Sequence, residues 1–164
     1  MTAKDAIRYS LESSKWLLTT YLADLSDADL MVRPVPAANH TAWQLGHLIS
    51  EESKLLASQF PDNTITLLPG GFSKDHRREM AAGDDPAAFR PKAEYLKLFE
   101  QVRAGTISAL EGLTENELDR PTTGPFAPFA STLGSFFLFV SNHTLMHAGQ
   151  LTTARRKLGK PVLM

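Results

Sequence analysis

Two histidines, His143 and His147, stand four residues apart in the longest apolar-periodic run of a 164-residue chain. On a helix that spacing puts both imidazoles on one face, with Cβ atoms roughly 5–6 Å apart. Two imidazoles so placed can hold one metal ion. Phe136, Val140, Gln150 or Leu151, and Ala154 share their stripe, so the pair is predicted to face the core or a cavity in it. A lone inward histidine is ordinarily a satisfied core residue, and pairs at this spacing also arise by chance, so a third ligand decides the matter. His47 is the candidate. Its own helical face carries Trp43, Gln44 and Glu51, a mixed surface on which a histidine needs no special role. Its position argues for more, because an apparent internal repeat pairs its helix with that of His143. Neighbouring bundle helices lie about 8–10 Å apart, close enough for their imidazoles to share an ion. Three histidines leave coordination positions open for water or substrate, as in catalytic rather than structural sites.

Other side chains near these three have two readings each. Glu51, one turn after His47, is a hydrogen-bond acceptor for a ligand ring, a general base, or plain helix surface. Gln44 and Gln150, three residues before His47 and after His147, orient the rings, bind substrate, or face water. Trp43 and Phe139 are expected to pack against the imidazoles. Asn142 and Thr144 point away from the ligand face. The cluster Phe136-Phe137-Phe139 reads as bundle core or a dimer face. His40, beside a helix start, is either a solvent-facing loop residue or part of the site entrance. His76 sits among Lys74, Asp75, Arg77, Arg78 and Glu79, which marks a solvated segment or, if functional, a flap supplying an acid or base.

The elements that must position these residues are helices. Ile7, Leu11, Leu18, Tyr21 and Leu25 predict a helix over residues 3–25, followed by a capped acidic turn from Ser26 that Arg33-Pro34-Val35-Pro36 stops. A second helix is predicted over 41–60, its start marked by a Thr41-x-x-Gln44 capping box and its end by Pro61. Residues 61–91 hold four of the ten prolines and are irregular, with a short helix possible over 73–80. A connection of that length suggests a crossover or a flap. The third helix starts at Pro91 and carries Tyr95, Leu98, Phe99, Val102 and Leu110, weakened at Gly105 and Gly112 by roughly 1 kcal/mol each. Leu113-Thr114-Glu115-Asn116-Glu117-Leu118 then echoes Leu25-Ser26-Asp27-Ala28-Asp29-Leu30, and Arg-Pro follows in both places. The echo predicts two helix–turn–helix halves about a pseudo-two-fold, or else two independent turns of common chemistry. Ser131 or Thr132 caps the fourth helix, which runs to about residue 158, with Gly159 beyond it. The fold class is all-α, a four-helix bundle forming a single domain over 1–164.

Composition narrows function by exclusion. Hydrophobic residues make up 43%, charged residues 21%, and the net charge is −1, with no basic patch for nucleic acid or an anionic membrane. There are no cysteines, so disulfides, thiolate zinc sites and a cysteine nucleophile are excluded. The first residues do not read as a signal peptide, and no apolar run approaches the ~20 residues of a membrane span. A cytoplasmic location is the default expectation.

Thr41-Ala42-Trp43-Gln44-Leu45-Gly46-His47-Leu48, together with Asn142-His143-Thr144-Leu145-Met146-His147-Ala148-Gly149-Gln150-Leu151, resembles the DinB/YfiT-like superfamily. The likeness runs over essentially the whole chain. It implies an up-down-down-up four-helix bundle with a long crossover, and a divalent metal ion (nickel, zinc, iron or manganese) on three histidines that correspond to His47, His143 and His147. It also implies a homodimer and a small-molecule substrate. Some members transfer a low-molecular-weight thiol, bacillithiol or mycothiol, some resemble mycothiol-dependent maleylpyruvate isomerase, and others are regarded as hydrolases. The resemblance favours a metal-dependent transferase acting on an electrophilic small molecule. The alternatives are a metal-dependent hydrolase and a non-catalytic, metal- or ligand-binding dimeric bundle.

Overall fold

The computed structural model describes residues 1–162. In chain order its helices are α1 (Ala3–Leu22), α2 (Asp27–Leu30), α3 (Thr41–Gln59), α4 (Phe72–Asp75), α5 (Lys92–Glu111) and α6 (Leu133–Lys157). Four are long and two are single turns, and the described residues include no strand beyond one bridge between Pro121 and Thr132. None of these helices is long and apolar enough to cross a membrane.

Local chemistry sets most helix starts. Capping boxes begin α1 (Thr2 with Asp5), α2 (Ser26 with Asp29) and α6 (Thr132 with Ser135). Thr114 and Glu117 form another ahead of the short 3-10 turn Glu115–Asp119. The two echoing turns therefore share both their caps and their buried leucines: Leu25 and Leu30 in one, Leu113 and Leu118 in the other. The start of α3 departs from expectation. His40, not Thr41, is the cap, with its Nδ1 accepting from Trp43 N at 3.1 Å, while the Thr41 hydroxyl is buried with no partner among the described residues. The end of α1 departs too, at Leu22 rather than Leu25. Lys92 Nζ donates to the carbonyls of Leu22, Ala23 and Leu25, and Arg155 donates to that of Tyr21, so donors from distant elements replace the last helical turn.

Cross-helix contacts give the directions. Ser10 meets Ser141 and Arg155 reaches Tyr21, so α1 and α6 run parallel. Lys4 reaches the Glu111 carbonyl and Lys15 pairs with Glu100, so α1 and α5 run antiparallel. Phe60 lies by Phe137 and Gln44 by His147, so α3 and α6 run antiparallel. Hence α3 and α5 point the same way, and residues 61–91 are the crossover that parallel neighbours require. Exchanging α1–α3 for α5–α6 maps this set of neighbours onto itself.

The core falls into two apolar clusters, one around Leu22, Leu45, Ile49, Tyr95 and Phe99, the other around Leu11, Leu56, Leu110, Phe136 and Phe137. A polar layer built on Arg103, wholly buried, lies across the bundle. It donates to both Glu52 oxygens at 2.8 and 2.9 Å, to Ser14 Oγ at 2.9 Å, to the Leu11 carbonyl at 2.5 Å and to Thr144 Oγ1 at 2.8 Å. Thr106 adds a bond to Glu52 at 2.7 Å. One guanidinium thus ties all four long helices.

The crossover is strapped down rather than free. His76 lies so close to Gly46 that a Cβ there would sit 1.9 Å from the ring, and Thr66 enters over Gly105 in the same way, at 2.5 Å. Gly105 weakens α5 by propensity, and its missing side chain is the space that Thr66 occupies. The short helix expected over 73–80 is split into α4 and a 3-10 turn at Arg78–Met80, because His76 turns inward between them.

Candidate metal centre

α3 and α6 bring His47, His143 and His147 together. Ring centroids are 5.3 Å apart for His47–His143, 5.4 Å for His47–His147 and 4.9 Å for His143–His147. One nitrogen from each ring lies within 4.8 Å of the other two, the one such group among the described residues. Metal–nitrogen bonds of about 2.0–2.1 Å are reached from that spread by small side-chain adjustments. Trp43 lies flat on His47 at 4.9 Å and 8°, and Phe139 stacks on His143 at 6.0 Å and 27°, both as expected.

The protonation of His147 follows from its neighbours. Gln44 Nε2 donates to the Asn39 carbonyl at 2.9 Å, which turns Gln44 Oε1 towards His147 Nδ1 at 3.0 Å. An amide oxygen only accepts, so Nδ1 carries the proton and Nε2 presents its lone pair. That Nε2 is buried and has no hydrogen-bond partner among the described residues. A buried polar atom without a partner costs free energy unless something absent from the chain satisfies it. Burial, then the nearby His143 and His47, pushes the His147 pKa down to about 3. Burial likewise lowers those of His47 and His143. Glu51 opposes the shift at both, and Glu52 opposes it at His143. All three rings are therefore neutral at pH 7, the form that binds metal. The set fits a divalent ion: three imidazoles, no thiolate, and one lone pair locked in place with nothing to meet it.

The remaining candidates are placed as follows. Gln44 is buried beside His147. Glu51 is half-buried one turn beyond His47, 3.8 Å from Lys54 Nζ. Gln150 is exposed on α6, outside the converging group. Thr144 does point away from the ligand face, into the Arg103 layer.

His40 and His76 are neither solvent-facing nor a flap. His40 is buried, with Nε2 donating to the Gly83 carbonyl at 3.0 Å. His76 is buried with Nδ1 donating to the Phe72 carbonyl at 2.8 Å and Nε2 accepting from Tyr95 Oη at 2.7 Å. Both nitrogens of each ring are taken, which leaves no acid or base for chemistry. At His76 charged neighbours in sequence conceal this, with Gly46 as the available clue, and at His40 the polar neighbours Asn39 and Thr41 do so. Glu52 and Arg103 lie outside the set expected from sequence, although each charge falls on the apolar stripe of its helix.

A helical bundle with three neutral imidazoles aimed at one point defines a class, that of bundles with a candidate open metal centre. The chain belongs to the DinB superfamily, whose family model matches residues 11–151 and so spans all three histidines. That superfamily is often metal-dependent. Among solved structures, the chain is similar to a conserved protein from Enterococcus faecalis, with a TM-score of 0.72 at 19% identity over 98% of this chain and 99% of that one. This likeness shows the fold. No curated protein matches the chain.

Proposed function

We propose that the chain is a divalent-metal-dependent enzyme that transfers a low-molecular-weight thiol to an electrophilic small molecule. The observation that carries the metal site is the unpartnered Nε2 of His147, locked by Gln44 and converging with His47 and His143. Nickel, zinc, iron and manganese are the candidate ions, and imidazole donors favour the first three. Bound there, such an ion supplies Lewis acidity that makes a water or thiol nucleophilic at neutral pH. The chain's own residues do the rest. Gln44 fixes the ligand ring, Trp43 and Phe139 stack on the rings of His47 and His143, and Glu51, one turn beyond His47, is the candidate to take the proton released by the nucleophile. Gln150, exposed on α6 three residues beyond His147, is the candidate to meet substrate. The absence of cysteine means that a sulfur nucleophile must come from outside the chain. Hydrolysis is the second reading, since the same site can activate water.

Metal analysis of protein purified without a polyhistidine tag, after incubation with nickel, zinc and manganese, tests the site. About one ion per chain is expected, and none in a His143→Ala, His147→Ala variant. Equal, near-zero metal in both would overturn the reading. Metal-loaded protein is then screened against electrophiles with and without each thiol, and turnover that ignores the thiol would favour hydrolysis.

A further inference from the structure

The two helices that carry the histidines repeat one arrangement. In α3, Trp43 precedes His47 by four residues and Glu51 follows it by four. In α6, Phe139 precedes His143 by four and His147 follows it by four. The repeat extends to contacts, since each aromatic ring stacks on the histidine after it. The helices are antiparallel and repeat this spacing, so an approximate two-fold axis relates their backbones, although the His47 and His143 rings, meeting edge to face, do not themselves follow it. That axis carries His147 onto Glu51. One flank of the His47–His143 pair holds an imidazole, and the other holds a carboxylate.

The two flanks differ in how tightly they are held. His147 is buried and clamped by Gln44. The counterpart of Gln44 is Val140, which offers no polar atom, so Glu51 has no equivalent clamp. Its oxygens lie outside the 4.8 Å cluster and, among the described residues, meet only Lys54 Nζ at 3.8 Å, beyond hydrogen-bond range. An exposed pair of that kind contributes little and does not hold the carboxylate away.

We propose that Glu51 is a fourth, displaceable protein ligand of the ion held by His47, His143 and His147. This rests on the metal site proposed above. A carboxylate is a suitable ligand for each of the candidate metals. Being unclamped, it can yield its place to an incoming nucleophile, which a ligand held like His147 cannot do. The site is then closed at rest and opened by substrate, and the freed carboxylate is at hand for the proton.

Cobalt(II) is the probe, because its visible bands report coordination number and donor set. Wild type, Glu51→Gln, Glu51→Ala and Glu51→His are titrated with cobalt(II) and competed against a chromogenic chelator. Loss of a direct ligand is expected to weaken binding at least as much as loss of an outer partner, so at least about tenfold in Glu51→Gln and Glu51→Ala. Both spectra are expected to change, and Glu51→His to restore affinity. Cobalt affinity and spectra in Glu51→Gln and Glu51→Ala that match wild type would overturn the proposal while leaving the three-histidine site intact. Failure of wild type to bind cobalt at all would overturn both. A weakened affinity with an unchanged spectrum would reduce Glu51 to an outer electrostatic role and also overturn it.

Discussion

Where α3 packs on α5, glycines open the helix surfaces, and the crossover fills the openings with His76 and Thr66. Where α1 packs on α6, Tyr9, Trp16, Leu138 and Leu145 remain exposed. The seams differ as well. Glu52 of α3 and Arg103 of α5 form a buried ion pair, whereas α1 and α6 share the neutral Ser10–Ser141 hydroxyl bond and a terminal pair, Arg155 with Asp24, whose carboxylate is half exposed. Equivalent helices have been finished by opposite means, and the covered, charged side is the one that carries His47.

This contrast can be broken most directly at the two arginines. Arg103→Met leaves Glu52 buried and unpaired, and about 3–5 kcal/mol of stability is expected to be lost in urea denaturation. Arg155→Met leaves Asp24 within reach of water, so the loss is limited to hydrogen bonds and packing, about 1–3 kcal/mol. Equal losses would show that the charged layer is not special. A smaller difference is expected at the glycines. Gly46→Ala must push His76 from its slot, for about 2–3 kcal/mol. Asn142→Ala, at the matching exposed site on α6, should stay within about 0.5 kcal/mol.

The mildest test is acid. Burial holds the pKa values of His40 and His76 below the ordinary 6.5. The folded state therefore binds their protons less well than the unfolded chain does. Their contribution is complete above pH 6.5 and is lost as pH falls below it. Hydrogen exchange followed downward from pH 7 should show residues 61–91 losing protection before α1, which carries no histidine. Simultaneous loss across both faces would contradict a separately anchored strap.

The parts of the molecule that were legible in sequence are those fixed by neighbours in the chain. The capped turn at Ser26, its echo at Thr114 and the cap at Thr132 announced element starts, apolar spacing announced the stripes, and the two histidine motifs announced that His47, His143 and His147 come together from α3 and α6. What escaped depended on partners far away in sequence. α1 stops at Leu22 because Lys92 and Arg155 arrive to take its carbonyls. His76 sits among charges in sequence and His40 between Asn39 and Thr41, yet both are buried, His76 bonded to Phe72 and Tyr95 and His40 to Gly83. Glu52 and Arg103 were visible as charges on apolar stripes, yet only the packed bundle reveals that they meet.

Glu52 belongs to the first half of the chain and Arg103 to the second. A chain severed within residues 61–91 would yield two fragments, each with an uncompensated charge in its apolar stripe. Two copies of the first would bury carboxylate against carboxylate, and two of the second guanidinium against guanidinium. Only the unlike pairing neutralises both. The ion pair thus acts as a mating code: it selects the complementary half mainly through the penalty it places on self-association, and much less through any net attraction in the correct pair.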